Sequence, residues 1–522
     1  MLRRPLLSWF MGLSVLTFGC SVIVEKDVKG KGLGVQCNTS SECHVGSCDD
    51  GVCVASCDGN GDCPASTKCF AGKCQKPLNV SALWVGVVSG GEGWTLTHQE
   101  GVTAAKERLP YINYKFQESV ISDLDITNAV EKAVNEEKAD VILLNSYSQR
   151  AKMLELAKKH EKVKFLNCQG YQAQKPNVAA YAAHEEQAWW VAGVVAAQRA
   201  QNKIGYIGSF ITPEVVRHIS AFLLGARSVK PQITLEVAWI GFWSDWKPTR
   251  TYNYNGPLAL NKSGGDSVYR EELLTYRLID DGAEVIAHGA DNQRSVRLIE
   301  TLYKSGRLKD ANGQPRVYSV SNDNRNAYKE LDANGLPNGA PLQTCLGSPF
   351  WNWTPMYVSM FSEIHRGTWQ PVNRNDPMTN DPAQSVPGFN LNPTAQGIDD
   401  SVVRKYVNEI STRGWQFVFN GPYPTNGQRD SNVDGVVDSK DKQSFDAGEQ
   451  MSEDEYKSMC WFPQGVYERK DPTKGAGDPG YSLVQARVPD AQRIQTDPSF
   501  INDLEGPPEV PASAVADCTL NK

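Results

Sequence analysis

The run from Lys203 to Trp246, KIGYIGSFITPEVVRHISAFLLGARSVKPQITLEVAWIGFWSDW, leaves few options for the fold. Ile204-Gly205-Tyr206-Ile207-Gly208 is a short apolar strand. Thr212-Pro213 starts a helix, with threonine at the cap and proline in the first turn. Val215, Val216, Ile219, Phe222, Leu223 and Ala226 recur on one face of that helix. Lys230-Pro231 ends it. Leu235 to Ile240 is a second strand, with Trp243, Asp245 and Trp246 at or just past its carboxyl end. Strand, helix and strand in this order make a parallel α/β unit, and such sheets bind ligands at the carboxyl ends of their strands.

The pattern repeats from Leu78 onward. Strands are expected at Ala82–Ser89, Tyr114–Val120, Asp140–Asn145, Val163–Asn167, Val178–Tyr181, Glu284–His288, Arg316–Ser321 and Leu342–Ser348. Helices are expected from His98 to Leu109, around Ile126–Val134 and Met153–Ala157, and at Glu185–Gln201, Val296–Leu302 and Pro355–Arg366. Strands alternating with helices predict parallel sheets with helices on both faces. There are too many strands for one ordinary sheet, so two lobes are expected. The first is mainly 78–190 and the second mainly 203–345, with later segments crossing back, within a domain spanning 78–480. Residues 371–400 and the tail from 470, with 481–522 an irregular tail, are rich in Pro, Gly, Asn and Asp and read as loops or wrapping arms with little regular structure.

The front of the chain is different. Arg3, Arg4 and the apolar stretch Leu6–Phe18 read as a signal peptide over 1–19. Gly19-Cys20 reads as a lipidation site, with 20–35 a linker carrying the anchor. Nine of the 13 cysteines lie in the first 74 residues. Within a module at 36–76, Cys37, Cys43, Cys48 and Cys53 are answered by Cys57, Cys63, Cys69 and Cys74. So short a repeat cannot bury a core and needs disulfides, whose pairing spacing alone does not decide. Export follows, with the chain lipid-anchored on the periplasmic or outer-surface face of a bacterial membrane. A net charge of −7 argues against nucleic acid.

Four motif groups carry a family resemblance over Leu78 to about Val466. They are Gly93-Trp94-Thr95-Leu96-Thr97-His98-Gln99-Glu100-Gly101, the run Ile204 to Gly225, Val237 to Asp245 with Gly282 to His288 and Asp291, and Leu346-Gly347-Ser348 with Trp353, Gly367-Thr368-Trp369 and Asn420-Gly421-Pro422. Together they resemble the basic membrane protein family of lipid-anchored binding proteins of ABC importers. The resemblance implies a two-lobe periplasmic-binding-protein-like (type I) fold, a purine nucleoside or base as ligand, and an ABC permease as partner. Gly91 stands where many relatives have Asp, with Glu92 beside it.

A purine needs stacking faces and directed polar groups. Trp94 and Trp243, from different lobes, are expected to sandwich the ring, with Trp353 at the wall. His98 is placed to bond a ring nitrogen. Asp291, Asp323 and Asp245 follow strands and suit a sugar diol, since a carboxylate accepts two hydroxyl hydrogen bonds. Asn145 and Gln169 end first-lobe strands. No nucleophile elbow, Walker loop, dinucleotide fingerprint or zincin motif occurs, so binding and not catalysis is expected, without redox or organic cofactor. A separate signal is a calcium loop, with Asp430, Asn432, Asp434, Asp438 and Asp441 as oxygen side chains, Val436 giving its carbonyl and Gly435 at the turn. The competing reading is a surface scaffold or adhesion lipoprotein that works through the cysteine module and this loop.

Overall fold

The computed structural model describes residue 31 and residues 35–469, apart from 45, 50, 65, 89–92, 171–172, 210–211, 241–242, 244–250, 427–441, 443, 453–454, 457–458 and 460, together with 481–483. The chain divides into two compact units at Lys76/Pro77. Among the described residues no helix is long and apolar enough to cross a membrane.

The first unit is a tandem repeat held by four disulfides. Each half pairs its first cysteine with its third and its second with its fourth: Cys37–Cys48 and Cys43–Cys53, then Cys57–Cys69 and Cys63–Cys74. The same cap recurs in both halves. Glu42 Oε1 accepts from the backbone N–H groups of Asn38 and Thr39, and Asp62 Oδ2 accepts from those of Asp58 and Gly59. Short antiparallel strands in the order Ser47–Asp49, Val52–Ser56, Lys73–Gln75, Lys68–Phe70 connect the halves. Cys53 and Cys74 are fully buried, so sulfur supplies the core that so few apolar side chains cannot.

The second unit contains β1 (Leu78–Leu83), α1 (Trp94–Arg108), β2 (Ile112–Gln117), α2 (Asp123–Asn135), β3 (Val141–Leu144), α3 (Arg150–Lys159), β4 (Lys164–Cys168), β5 (Val178–Ala183) and α4 (Glu185–Arg199). It continues with β6 (Lys203–Gly208), α5 (Pro213–Val229), β7 (Thr234–Trp239), α6 (Arg270–Asp280), β8 (Val285–Gly289), α7 (Arg294–Lys304), β9 (Tyr318–Val320), β10 (Gly347–Trp351) and α8 (Thr354–Arg366). β11 (Asn373–Asp376), β12 (Pro387–Leu391), α9 (Asp400–Arg413), β13 (Val466–Arg469) and β14 (Tyr481–Leu483) follow.

Two six-stranded sheets result, one per lobe. The first runs β2-β1-β3-β4-β5-β11 and is parallel throughout. The second runs β9-β8-β6-β7-β13-β14 and is parallel except for its last pair. In both, the first strand of the lobe lies between its second and third, the doubly wound order. Buried strands and capped helices explain these elements. Val141–Leu144 has no exposed residue. Ser122 and Asp125 form a capping box on α2. Thr212 Oγ1 accepts from Val215 N at 3.3 Å to start α5, whose predicted apolar face is buried.

Three expectations need correction. The 371–400 stretch is not loop alone, because β11 extends the first sheet beside β5 and β12 pairs with β10. The tail is not wholly irregular, because β14 pairs with β13 at the edge of the second sheet. In both cases a neighbouring ladder fixes a segment of weak intrinsic strand preference. The first strand ends at Leu83 and not at Ser89, and α1 already begins at Trp94. Gly93 offers no side-chain cap to announce that start.

α4 crosses from the first sheet to the second and packs on α5 unusually closely. A Cβ on Gly193 would lie 2.0 Å from the Phe222 carbonyl oxygen, and one on Gly225 would lie 1.9 Å from that of Trp190. Glycine at both positions lets the two backbones meet.

Candidate functional site

The carboxyl ends of both sheets carry the candidate residues, and the two rims are in contact. On the first rim, β3 ends at Leu144 and Asn145 follows. Its Oδ1 accepts from Val85 N at 2.9 Å and its Nδ2 donates to Thr95 Oγ1 at 3.3 Å. Asn145 therefore staples the loop after β1 to the start of α1, and its carbonyl accepts from Trp94 Nε1 at 2.6 Å. Trp94 itself stays partly exposed.

His98, one turn further along α1, is fully buried. Its ring stacks on Trp353 at 4.5 Å and 11°, and its Nδ1 bonds the Tyr357 hydroxyl at 2.5 Å. The Tyr181 hydroxyl joins that of Tyr357 at 2.9 Å. Trp94 meets His98 and Trp353 edge-on, at 4.7 and 5.6 Å. Burial pushes the His98 pKa well down, so the imidazole is neutral. The structure thus brings Trp94, His98 and Trp353 together, but with His98 and Trp353 as the packed backing of Trp94.

The second rim carries Trp243, Asp291 and Asp323. The Trp243 carbonyl accepts from Asp291 N at 3.0 Å. Asp323 sits at φ +64°, a left-handed conformation that a non-glycine residue adopts only when its surroundings impose it. Trp351 imposes it here. Its backbone N–H donates to the Asp323 carbonyl at 3.1 Å and its Nε1 to Asp323 Oδ1 at 2.9 Å. Asp323 Oδ2 is buried with no partner in good hydrogen-bond geometry, and the Trp94 backbone N–H also bears on this carboxyl.

Gly93 is where the rims touch. A Cβ there would lie 2.3 Å from the Asp291 carbonyl oxygen and 2.7 Å from Asp323 Oδ2. Asn324 Nδ2 also reaches Glu100 Oε2 at 3.2 Å. The lobes are therefore closed on each other.

Gln169 follows β4 at φ +56° and points to residues that the sequence patterns did not single out. Its Nε2 donates to Glu185 Oε1 at 3.1 Å, while its Oε1 has no partner. Glu185 opens α4, and Glu214 and His218 lie in the first turns of α5. His218 Nε2 stands 3.2 Å from Glu185 Oε2. Beside them, Arg217 Nη1 donates to the Tyr456 carbonyl at 2.7 Å and the guanidinium lies over the Tyr456 ring at 4.0 Å. An acid in a first helical turn is an ordinary response to the helix dipole, which is why these two gave no signal. Position was the available clue, since each follows the carboxyl end of a strand.

Four carboxyls thus gather around one nearby cation, Arg217. Burial first, then the charges of Glu214 and Asp323, push Glu185 well up from its ordinary range. Burial also raises Glu214, against the Arg217 charge, and raises Asp291, helped by Asp323 and Glu214. Burial raises Asp323 to about 7. Each favours its neutral form, a donor-acceptor group suited to hydroxyls and ring nitrogens. Asp245, Cys20 and the loop with Asp430, Asn432, Asp434, Val436, Asp438 and Asp441 lie outside the described residues.

Comparison with known proteins finds likenesses over part of the chain. Residues 78–253 match the family described as ABC transporter substrate-binding protein PnrA-like. A putative ABC transporter glucose-binding protein of Haloferax volcanii is 27% identical over 56% of this chain, and the match spans 62% of that relative's length. A purine-binding protein of Brucella abortus is 26% identical over 58% of this chain and 73% of its own. A solved ABC transporter solute-binding protein from Conexibacter woesei aligns with a TM-score of 0.43 at 17% identity, over 64% of this chain and 95% of that one. The family match is confined to residues 78–253, within the second unit.

Proposed function

We propose that the chain captures a purine nucleoside or base between its lobes and delivers it to an ABC permease from a lipid anchor at Cys20, outside the cytoplasm. The observation that carries this reading is the second-rim acceptor Asp323 Oδ2, buried with no partner in good hydrogen-bond geometry where the lobes meet. Burying such an atom costs free energy unless something bonds it. In this reading Trp94 and Trp243 stack on the base, each contact contributing about 1–3 kcal/mol. Asp291 and Asp323 take the sugar hydroxyls, and Gln169 Oε1 accepts from an exocyclic amine. Closure of the rims over the ligand shifts the population toward the form the permease reads. The purine-binding relative in Brucella abortus supports the ligand class. The loop Asp430–Asp441 holds a structural calcium ion in the same reading.

The test is thermal unfolding of the full chain with purine nucleosides, purine bases, pyrimidine nucleosides and glucose, each with and without calcium. A ligand at a hundred times its dissociation constant adds about 2.7 kcal/mol. The expected result is a shift with purines that Trp94→Ala removes. A shift with glucose and none with purines would move the assignment to a sugar. A calcium shift alone would favour the surface-scaffold reading.

A further inference from the structure

We propose that Glu185, Glu214 and His218 form a binding site for a divalent metal ion of the zinc class, in the floor of the cleft. The site rests on α4 and α5 and not on the purine assignment.

The donors come from two helices. Glu185 is the first residue of α4, and Glu214 and His218 are four apart on α5, which puts both on one face of that helix. Their donor atoms, two carboxylate oxygens and one ring nitrogen, all lie within 4.8 Å of one another. Glu185 Oε2 is 3.2 Å from His218 Nε2 yet accepts no hydrogen bond. Two donors sharing one ion at about 2.0–2.2 Å have roughly this separation. Glu214 offers a carboxylate oxygen within the same 4.8 Å. Glu185 and His218 are 2% and 9% exposed at their side chains, so water does not dominate their surroundings. Trp189 and Trp351 stack near the imidazole, at 5.9 and 6.2 Å, and fix its plane.

A second observation is independent of the triad. Tyr206 OH, Ser209 Oγ and Asp323 Oδ2 are buried and have no partner in good hydrogen-bond geometry. Tyr206 lies close enough to Glu185 and Glu214 for their charges to act on it. An ion with its bound water would give these orphaned groups a partner, the usual task of an outer shell. The neighbouring cation, Arg217, contacts Tyr456 and its charge also acts on Glu185, Glu214 and His218.

Donor chemistry selects the ion. One imidazole with two carboxylates suits zinc, whereas calcium and magnesium prefer oxygen-only sets. Three protein donors leave a position for water or for a donor atom of the captured solute.

The test is zinc titration of the full chain after EDTA treatment, without reductant so that the disulfides of residues 37–74 stay closed. Wild-type protein is expected to bind one zinc ion in calorimetry, with a rise in melting temperature that magnesium does not reproduce. Glu214→Gln and His218→Phe, which keep shape and ring stacking, should each weaken zinc binding about tenfold or more. Circular dichroism without zinc establishes that both variants are folded. The proposal is overturned if wild type gives no zinc-specific binding, or if both variants bind zinc as wild type does. A purine response measured both in EDTA and with added zinc separates the outcomes: a response in either keeps the solute reading whatever the zinc titration gives, and a response in neither fails it while leaving the metal site to be judged by zinc binding alone.

Discussion

The two rims of the cleft are built on opposite principles. The first rim is aromatic and mostly packed on itself: His98 stacks on Trp353, Trp94 and Tyr181 meet them edge-on, and His98, Tyr357 and Tyr181 form a chain of hydrogen bonds, with only His98 Nε2 and Trp353 Nε1 of these rings left without a partner. The second rim, together with the starts of α4 and α5, is acidic and incomplete. Glu185 and Asp323 each keep a buried oxygen without a partner, and so does Gln169, which reaches Glu185 from the first lobe. Packing stabilises the first arrangement without help. The second is tolerated by the fold and waits for something from outside. The difference separates what holds the cleft together from what the cleft is for.

Substitutions on each side should behave accordingly. The largest stability loss is expected for Trp353→Ala, which removes a fully buried ring from between His98, Trp94 and Tyr181. Truncating a buried tryptophan costs about 3–5 kcal/mol, read in urea unfolding. A loss under about 1 kcal/mol would show that the aromatic rim is not a structural core.

Asp323→Asn should do the reverse. The folded state raises this carboxyl to about 7 from an ordinary value of 3.8, so the folded protein binds more protons across that interval. Wild-type stability then falls as pH rises from about 4 through 7. Asparagine accepts the left-handed backbone, keeps an oxygen for Trp351 and carries no charge. The variant should be flatter in pH and more stable than wild type at pH 8 by about 1–3 kcal/mol. Parallel pH profiles for the two proteins would remove Asp323 from the acidic rim's account.

The smallest effect is expected from Thr212→Ala. It deletes the cap of the helix carrying Glu214 and His218, at a cost of about 1 kcal/mol. If zinc and purine responses are unchanged in this variant, packing and not capping sets the acidic geometry.

Legibility in the sequence followed the same division. Thr212-Pro213 announced α5, and apolar runs such as Val141–Leu144 announced strands, because local chemistry sufficed there. Trp94, Trp243, Asp291 and Asp323 were placed on the rims because residues after parallel strands end at the carboxyl edge. Asn145 was read as a ligand group, but its amide is occupied by Val85 and Thr95, which no pattern along the chain reveals. Glu185 and Glu214 looked like ordinary first-turn acids, and only the meeting of α4 with α5 sets them side by side. β11 was unreadable because its strand character comes from β5.

That meeting of α4 and α5 has a mechanical consequence. With a carbonyl oxygen occupying the place of a side chain at both Gly193 and Gly225, the two helices have no slack to slide and travel as one girder. α4 is nominally the bridge from the first lobe to the second, yet it rides with the second. Relative motion of the lobes is then taken up at its front joint, around His184, where Gln169 of the first lobe grips Glu185. The Gln169–Glu185 bond is one of several at that joint, beside His184 N to the Asp376 carbonyl and Met378 N to Gln187 Oε1, and it is made by the same carboxylate that faces His218.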